Sequence, residues 1–267
     1  METRKGEEGG SGDEVNLMSS LHLRSAFVLL LVLWAGRVEA KPLRCVIFDF
    51  DSTLSCPTFI ARFGRFAIAD KRDVFMNMTP PEIVENFGGT ARLEHLTSML
   101  QRLRDLQVHL MIISLGRTEC IIAHLAAVHL LPFFSAEDIY GRDSEALKRH
   151  NIRYARKDET VGTLFCKAAL ILAIMTRFQW TSDDVLFVDD STAHIQAARD
   201  GAMTTKDGHR HELWLGTICQ TLLVANEGDD RGLAAHEMEH VCQVAAGKAS
   251  GSIESRLSRS VSSALDR

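Results

Sequence analysis

Short apolar runs that end in acid or hydroxyl residues set the narrowest limit on what this chain can fold into. From Arg44 onward four runs stand out: Cys45 to Phe48 (CVIF), Val108 to Ile113 (VHLMII), a weaker one from Phe133 to Tyr140, and Val185 to Val188 (VLFV). Continuous β-branched and aromatic runs of this length suit strands buried on both faces. Between them, Ala91 to Leu106, Arg117 to Leu131 and Thr163 to Phe178 carry apolar residues at helical spacing. The alternation predicts an α/β fold, a three-layer Rossmann-like parallel sheet with helices on both faces.

Ligands of open parallel sheets bind at the carboxyl ends of the strands. Polar residues gather there in this chain. The first run continues as Asp49-Phe50-Asp51-Ser52-Thr53-Leu54, the second as Ser114-Leu115-Gly116, and the last as Asp189-Asp190-Ser191. Four carboxylates and a serine hydroxyl on one edge are costly to hold together unless a cation compensates them. A donor set made of oxygens points to a hard cation, magnesium.

Taken in order, these segments resemble the haloacid dehalogenase superfamily. Its first motif, an apolar run followed by Asp-x-Asp-x-Thr/Val, stands here as CVIFDFDST. Ser114 matches the second motif, Lys167 in LFCKAALIL the third, and FVDDS the fourth. Lys148 and Lys157 are rivals for the lysine but lie farther from the final motif. The resemblance covers Arg44 to Gly201. It implies a phosphatase-type enzyme in which Asp49 attacks phosphorus to form a phospho-aspartate, while Asp51 protonates the leaving oxygen and later activates water. Ser114 and Lys167 are implied to hold the phosphoryl group, with Phe50, Thr53, Leu115 and Gly116 lining its cradle. Magnesium is implied at Asp49, at Asp51 through its backbone carbonyl, and at Asp190, with Asp189 assisting or substituting. Plainer uses coexist with these: Asp favours turns, and Ser114 and Asp190 each precede a helix that needs a cap.

Members of the superfamily often carry a cap domain after the first motif or between the second and third. Both intervals are short here, so little or no cap is expected: residues 55–90 read as a small flap within a catalytic domain spanning 41–226. An open site suits a phosphorylated protein or another large substrate. The alternatives are a small-metabolite phosphatase or phosphotransferase, or a non-catalytic protein of the same fold. Within the flap, Phe59, Phe63 and Phe66 read as the core-facing side of a helix; Arg62 and Arg65 offer guanidinium groups suited to anions.

The ends are of different material. Residues 1–40 begin with a polar acidic stretch and then carry an apolar run, Ala26 to Ala35, preceded by Arg24 and followed by the small residues of Val38-Glu39-Ala40. The run is about half the ~20 residues that span a bilayer, the pattern of a cleaved signal peptide that leaves Lys41 as the new terminus. That places the chain in the secretory pathway or an organelle lumen, with membrane contact only through this segment; a cytoplasmic location is the alternative. Initiation at Met18 in place of Met1 would give the short basic region usual before such a run. Residues 227–267 read as a short helix and a disordered Ser- and Gly-rich tail. That helix contains His236-Glu237-Met238-Glu239-His240, which matches the H-E-x-x-H zincin pattern. It follows a complete α/β core without an evident third ligand, so a surface helix is the expectation. A net charge of −5 is too small to mark a nucleic-acid surface. The six cysteines include no C-x-x-C pair and read as scattered buried thiols.

Overall fold

The computed structural model describes residues 41–56, 68–155, 161–205, 208–226 and 232–249. Its strands, in chain order, are β1 (Cys45–Phe48), β2 (His109–Ile113), β3 (Ile139–Tyr140), β4 (Ile152–Ala155), β5 (Val161–Leu164), β6 (Val185–Asp189), β7 (Ala202–Thr204), β8 (Arg210–Glu212) and β9 (Gln220–Leu223). Its helices are α1 (Ile68–Met76), α2 (Pro80–Asn86), α3 (Thr90–Asp105), α4 (Thr118–Ala127), α5 (Glu145–Arg149), α6 (Lys167–Phe178), α7 (Thr192–Asp200) and α8 (Ala235–Ala245). Five strands form one parallel sheet in the order β3-β2-β1-β6-β9. The register sets Phe48 opposite both Ile112 and Val188, so the first, second and fourth apolar runs end level with one another.

Because successive strand residues point to opposite faces, each run feeds two cores. Val46, Phe48, Leu110, Ile112, Leu186 and Val188 pack with Leu96, Leu100 and Leu103 of α3 and with residues of α4 and α8. Cys45, Ile47, Met111, Ile113, Val185 and Phe187 pack on the other side with Leu170, Ile171 and Ile174 of α6 and Ile195 and Ala198 of α7. The three-layer α/β architecture is the expected one. All six cysteines are buried.

Several expectations need correction. The third run yields only the two residues of β3: Leu131–Phe133 and Ala136–Asp138 form 3₁₀ turns, since Pro132 has no N–H to give to a ladder and Phe134 turns into the core. The helix expected from Thr163 starts at Lys167, because residues 161–164 pair with 152–155 in an antiparallel hairpin. The helix expected over Arg117 to Leu131 ends at Ala127. The edge strand β9 was not anticipated, although ICQTLLV carries its apolar run.

The packed core extends past residue 226. Met238, Val241, Cys242, Val244 and Ala245 of α8 join the first core, and the Leu43 N–H donates to the Ala245 carbonyl at 3.0 Å. Both ends of the domain are thereby tied together.

Residues 57–67, with Phe59, Arg62, Phe63, Arg65 and Phe66, lie outside the described residues, as do residues 1–40, Lys157 and residues 250–267. The described part of the flap is two short helices. Thr79 caps α2, where Glu82 accepts from the Thr79 N–H and hydroxyl and the first two helical residues are prolines. Helix α1 lies against α4, where Arg72 binds Glu119 in a forked pair at 2.6 and 3.0 Å and the His124 ring stacks on Phe75. Among the described residues no helix is long and apolar enough to cross a membrane.

Candidate active site

The site begins where β1 stops. The Asp49 N–H extends the sheet by donating to Val188, and its carboxylate accepts from the Phe50 N–H at 2.6 Å. The next residues wind into a single wide turn, Phe50–Leu54, closed by the Ser55 N–H donating to the Phe50 carbonyl at 2.9 Å. Ser52 holds this turn in the left-handed region, at φ 59° and ψ 11°. That conformation is costly for a residue with a Cβ, so the surroundings must hold it.

The turn brings Asp51 to β2. Its Oδ2 lies 3.5 Å from the Ser114 hydroxyl, which also accepts from the Gly116 N–H at 3.2 Å. A Cβ on Gly116 would meet the Asp51 carboxylate at 3.3 Å, so a glycine lets the second motif close against the first. The loop after β3 braces this arrangement from behind. Asp143 caps α4 by accepting from the N–H and hydroxyl of Thr118, both at 2.9 Å, and the Arg142 N–H donates to the Gly116 carbonyl.

Lys167 opens α6 and is 1% exposed. Its ammonium bridges Asp49 at 2.9 Å and Asp189 at 2.7 Å. Burial disfavours the ammonium, but the two carboxylates more than offset that and hold its pKa above the ordinary value. Lys148, the rival on α5, is exposed and paired with Glu145.

The two acids of the fourth motif are not equivalent. Asp189 is fully buried and both of its oxygens are committed: Oδ1 accepts from the Ser191 N–H at 2.7 Å, and Oδ2 meets Lys167 and, at 3.3 Å, His194 Nδ1. Burial would raise its pKa, but Lys167 and His194 pull it below the ordinary value. Asp190 is half-buried, and burial followed by the charges of Asp49 and Asp189 raises it to about 6. Asp51 is raised to about 7 by burial first and then by the Asp49 charge, against the pull of Lys167. Burial and crowding by neighbouring carboxylates together raise these groups, as expected where acids are held out of water without a compensating cation.

A ligand oxygen from each of Asp49, Asp189 and Asp190 lies within 4.8 Å of the others. Three carboxylates facing one lysine leave an excess of negative charge, and their donors are oxygens, so the set fits a hard divalent cation. Asp190 is the better placed of the fourth-motif pair to hold it, since Asp189 is already engaged.

The structure thus brings Asp49, Asp51, Ser114, Lys167, Asp189 and Asp190 to one edge. The cradle residues divide. Leu115 and Gly116 are half-buried beside Asp51, and Phe50 offers its backbone next to Asp49, its ring packing edge-on against Phe87. Thr53 is fully buried and its carbonyl accepts from Arg92 and from the Leu233 N–H, so it supports the turn from the core side.

The H-E-x-x-H segment has another use. Glu237 is buried and accepts from the backbone N–H groups of Ala225 and Ala234 at 3.0 and 2.8 Å, while Glu239 pairs with Arg102 of α3. Among the described residues, the one cluster with metal-ligating spacing is the aspartate group.

No family model matches the chain, and no curated protein matches it. Solved structures similar to it include a haloacid dehalogenase family hydrolase from Deinococcus radiodurans with bound phosphate and sodium, at 14% identity over 79% of this chain and 99% of that one, TM-score 0.40. A cobalt-bound deoxy-D-mannose-octulosonate 8-phosphate phosphatase from Haemophilus influenzae is 11% identical over 79% and 92%, TM-score 0.39. A haloacid dehalogenase-like hydrolase from Streptococcus pneumoniae is 15% identical over 74% and 90%, TM-score 0.34. Overlaps this partial add nothing of their own. The chain's parallel sheet has its first, second and fourth motifs at level strand ends and Lys167 between them, the placement that the sequence resemblance to the haloacid dehalogenase superfamily implies.

Proposed function

We propose that this chain is a phosphomonoester hydrolase that works through a phosphoryl group on Asp49. The observation that carries the reading is the Lys167 ammonium, buried and shared between Asp49 and Asp189 beside Asp51 and Ser114. A carboxylate cannot approach a dianionic phosphate until charge is neutralised around both, and a buried cation fixed next to the nucleophile does that.

In the first step an Asp49 oxygen forms a bond to phosphorus as the ester P–O bond breaks, and Asp51 gives its proton to the departing oxygen. In the second, water attacks the phosphorus of phospho-Asp49 while the Asp51 carboxylate takes a proton from it. The P–O bond to Asp49 then breaks, releasing inorganic phosphate and restoring the carboxylate. Ser114, held by the Gly116 N–H, and the Leu115 amide orient phosphoryl oxygens through both steps. Lys167 neutralises them. Magnesium, held by the Asp49 and Asp190 carboxylates and the Asp51 carbonyl, would supply further neutralisation of phosphate charge.

The described insertions favour a large substrate. Among the described residues, helices α1 and α2 pack against α4, and the second interval adds the short α5 and the paired strands β4 and β5, less than a cap domain in either place. We propose a phosphorylated protein as the substrate class, with a small metabolite as the alternative. Release of inorganic phosphate from 4-nitrophenyl phosphate, with and without magnesium, tests the enzyme reading. No release under either condition would favour a non-catalytic phosphate-binding protein. Phosphopeptides turned over no better than small phosphate esters would reject the protein substrate.

A further inference from the structure

The segment after β9 folds back onto the catalytic turn. Asn226, itself left-handed at φ 51°, donates from Nδ2 to the Ser52 carbonyl at 3.2 Å and accepts from the Gly232 N–H on Oδ1 at 2.6 Å. The Leu233 N–H donates to the Thr53 carbonyl at 2.9 Å. Gly232 fits against the turn because it has no side chain: a Cβ there would lie 2.6 Å from the Ser55 carbonyl and 2.9 Å from that of Thr53. Arg92 completes the contact, its guanidinium donating to the carbonyls of Thr53, Leu54, Phe87 and Leu233. Glu237 closes the whole, since its carboxylate grips the backbone at Ala225, just before Asn226, and at Ala234, just after Leu233.

Ser52 is the residue that takes the strained conformation, and it follows Asp51 directly. Its carbonyl is the point where the returning segment touches the turn through a side chain. A carboxylate that must give and take a proton needs to be held within a fraction of an ångström of its productive place, by neighbours that cannot themselves move. Hydrogen bonds from a loop pinned at both ends meet that need.

We propose that Asn226 and Glu237 are positioning residues for Asp51, and that the H-E-x-x-H glutamate serves the phosphoryl-transfer site in place of any metal site of its own. This rests on the phosphatase reading. It concerns the acid and not the nucleophile, so it predicts a signature that general damage to the fold would not give. Asn226→Asp keeps the oxygen that accepts from Gly232 and replaces the donor to Ser52 with a repelling oxygen. Asn226→Gly keeps the backbone conformation and removes both bonds.

The experiment compares kcat/KM for an alkyl phosphate, whose leaving oxygen must be protonated, with that for 4-nitrophenyl phosphate, whose leaving group departs unaided. With Asp51 displaced, Asn226→Asp and Asn226→Gly should lose at least ~10-fold more activity on the alkyl ester, a fraction of the ~10²- to 10⁴-fold that loss of a general acid costs. Glu237→Gln should follow in the same direction. Hydrogen exchange of the amides of residues 50–55, measured on metal-free protein, should speed up in all three variants while the melting of the domain stays cooperative. Equal losses on both esters, or unchanged exchange in a variant that folds, would overturn the proposal. If the parent turns over neither ester, the phosphatase reading fails, and with it the positioning role; the exchange measurement then reports only whether the turn is braced.

Discussion

Replacing Asp51 by asparagine should make the metal-free protein less sensitive to alkali. In the folded chain Asp51 titrates at about 7, against 3.8 for the ordinary carboxyl. Its folded-state pKa is raised, so between these values the folded state binds a proton that the unfolded chain has released. The stability tied to that proton is fully present below pH ~4 and is lost as pH rises toward 7. Three pH units at ~1.4 kcal/mol each set the whole effect at ~4 kcal/mol. The part lost between pH 5.5 and 8 is about half, ~2 kcal/mol, or roughly 4–8 °C in Tm for a domain of this size. Asparagine has no proton to lose. The assay is thermal unfolding by circular dichroism after chelation, for parent and Asp51→Asn at both pH values; using the difference between the two proteins cancels the contribution of titrating groups that do not interact with Asp51. The variant should gain on the parent by those ~4–8 °C on going from pH 5.5 to pH 8. Magnesium should restore the parent at pH 8, by ~2.7 kcal/mol when present at a hundredfold its Kd. A parent-to-variant gap that stays constant with pH would show that Asp51 is not the uncompensated charge described above.

Lys167→Met should abolish turnover and cost ~3–5 kcal/mol of stability, because it leaves Asp49 and Asp189 buried without their shared cation; denaturant unfolding measures the second effect. Acid-quench mass spectrometry of the Asp49 peptide should find a phosphoryl group in the parent, none in Asp49→Asn, and an accumulation in Asp51→Asn supplied with an aryl phosphate. Phosphate release should stop in excess chelator and return with magnesium better than with zinc, since the donors are oxygens and octahedral geometry is preferred. N-terminal sequencing of material exported from cells should begin at Lys41, and recovery of residues 25–40 in that material would refute signal cleavage.

The acids and the serine of the site were legible because position, not partner, marks them. Each follows an apolar run that can only be a buried strand, and a parallel sheet lines up such ends by construction. Lys167 was legible for a weaker reason, its place at the start of an apolar helix before the last motif. His194, Arg92, Asn226 and Glu237 left no such trace. Their partners are backbone groups or side chains brought together by the fold, at separations as large as the 174 residues between Asn226 and Ser52. No local period encodes a contact of that kind. The same holds for the pair at residues 189 and 190, which the sequence presents as equals and which burial and the neighbours of Asp189 make different. The hairpin over residues 152–164 was hidden by a short apolar stretch that runs on into α6, and β9 by its place just ahead of a polar stretch that reads as the start of a tail.

The tie between Ser52 and Asn226, with Glu237 behind it, has a bearing on when the site can form as the chain is made. Asp49 is among the first residues of the domain to leave the ribosome, yet two of the hydrogen bonds that hold the turn after it come from Asn226 and Leu233. Strand β6, which supplies Asp189, pairs with β1 across a similar length of chain. A nascent polypeptide halted short of Asn226 therefore carries Asp49 beside Lys167 and Asp51 beside Ser114, but lacks the bonds that Asn226 and Leu233 give to the turn. The tie is complete once α8 has been made, the same helix that closes the hydrophobic core.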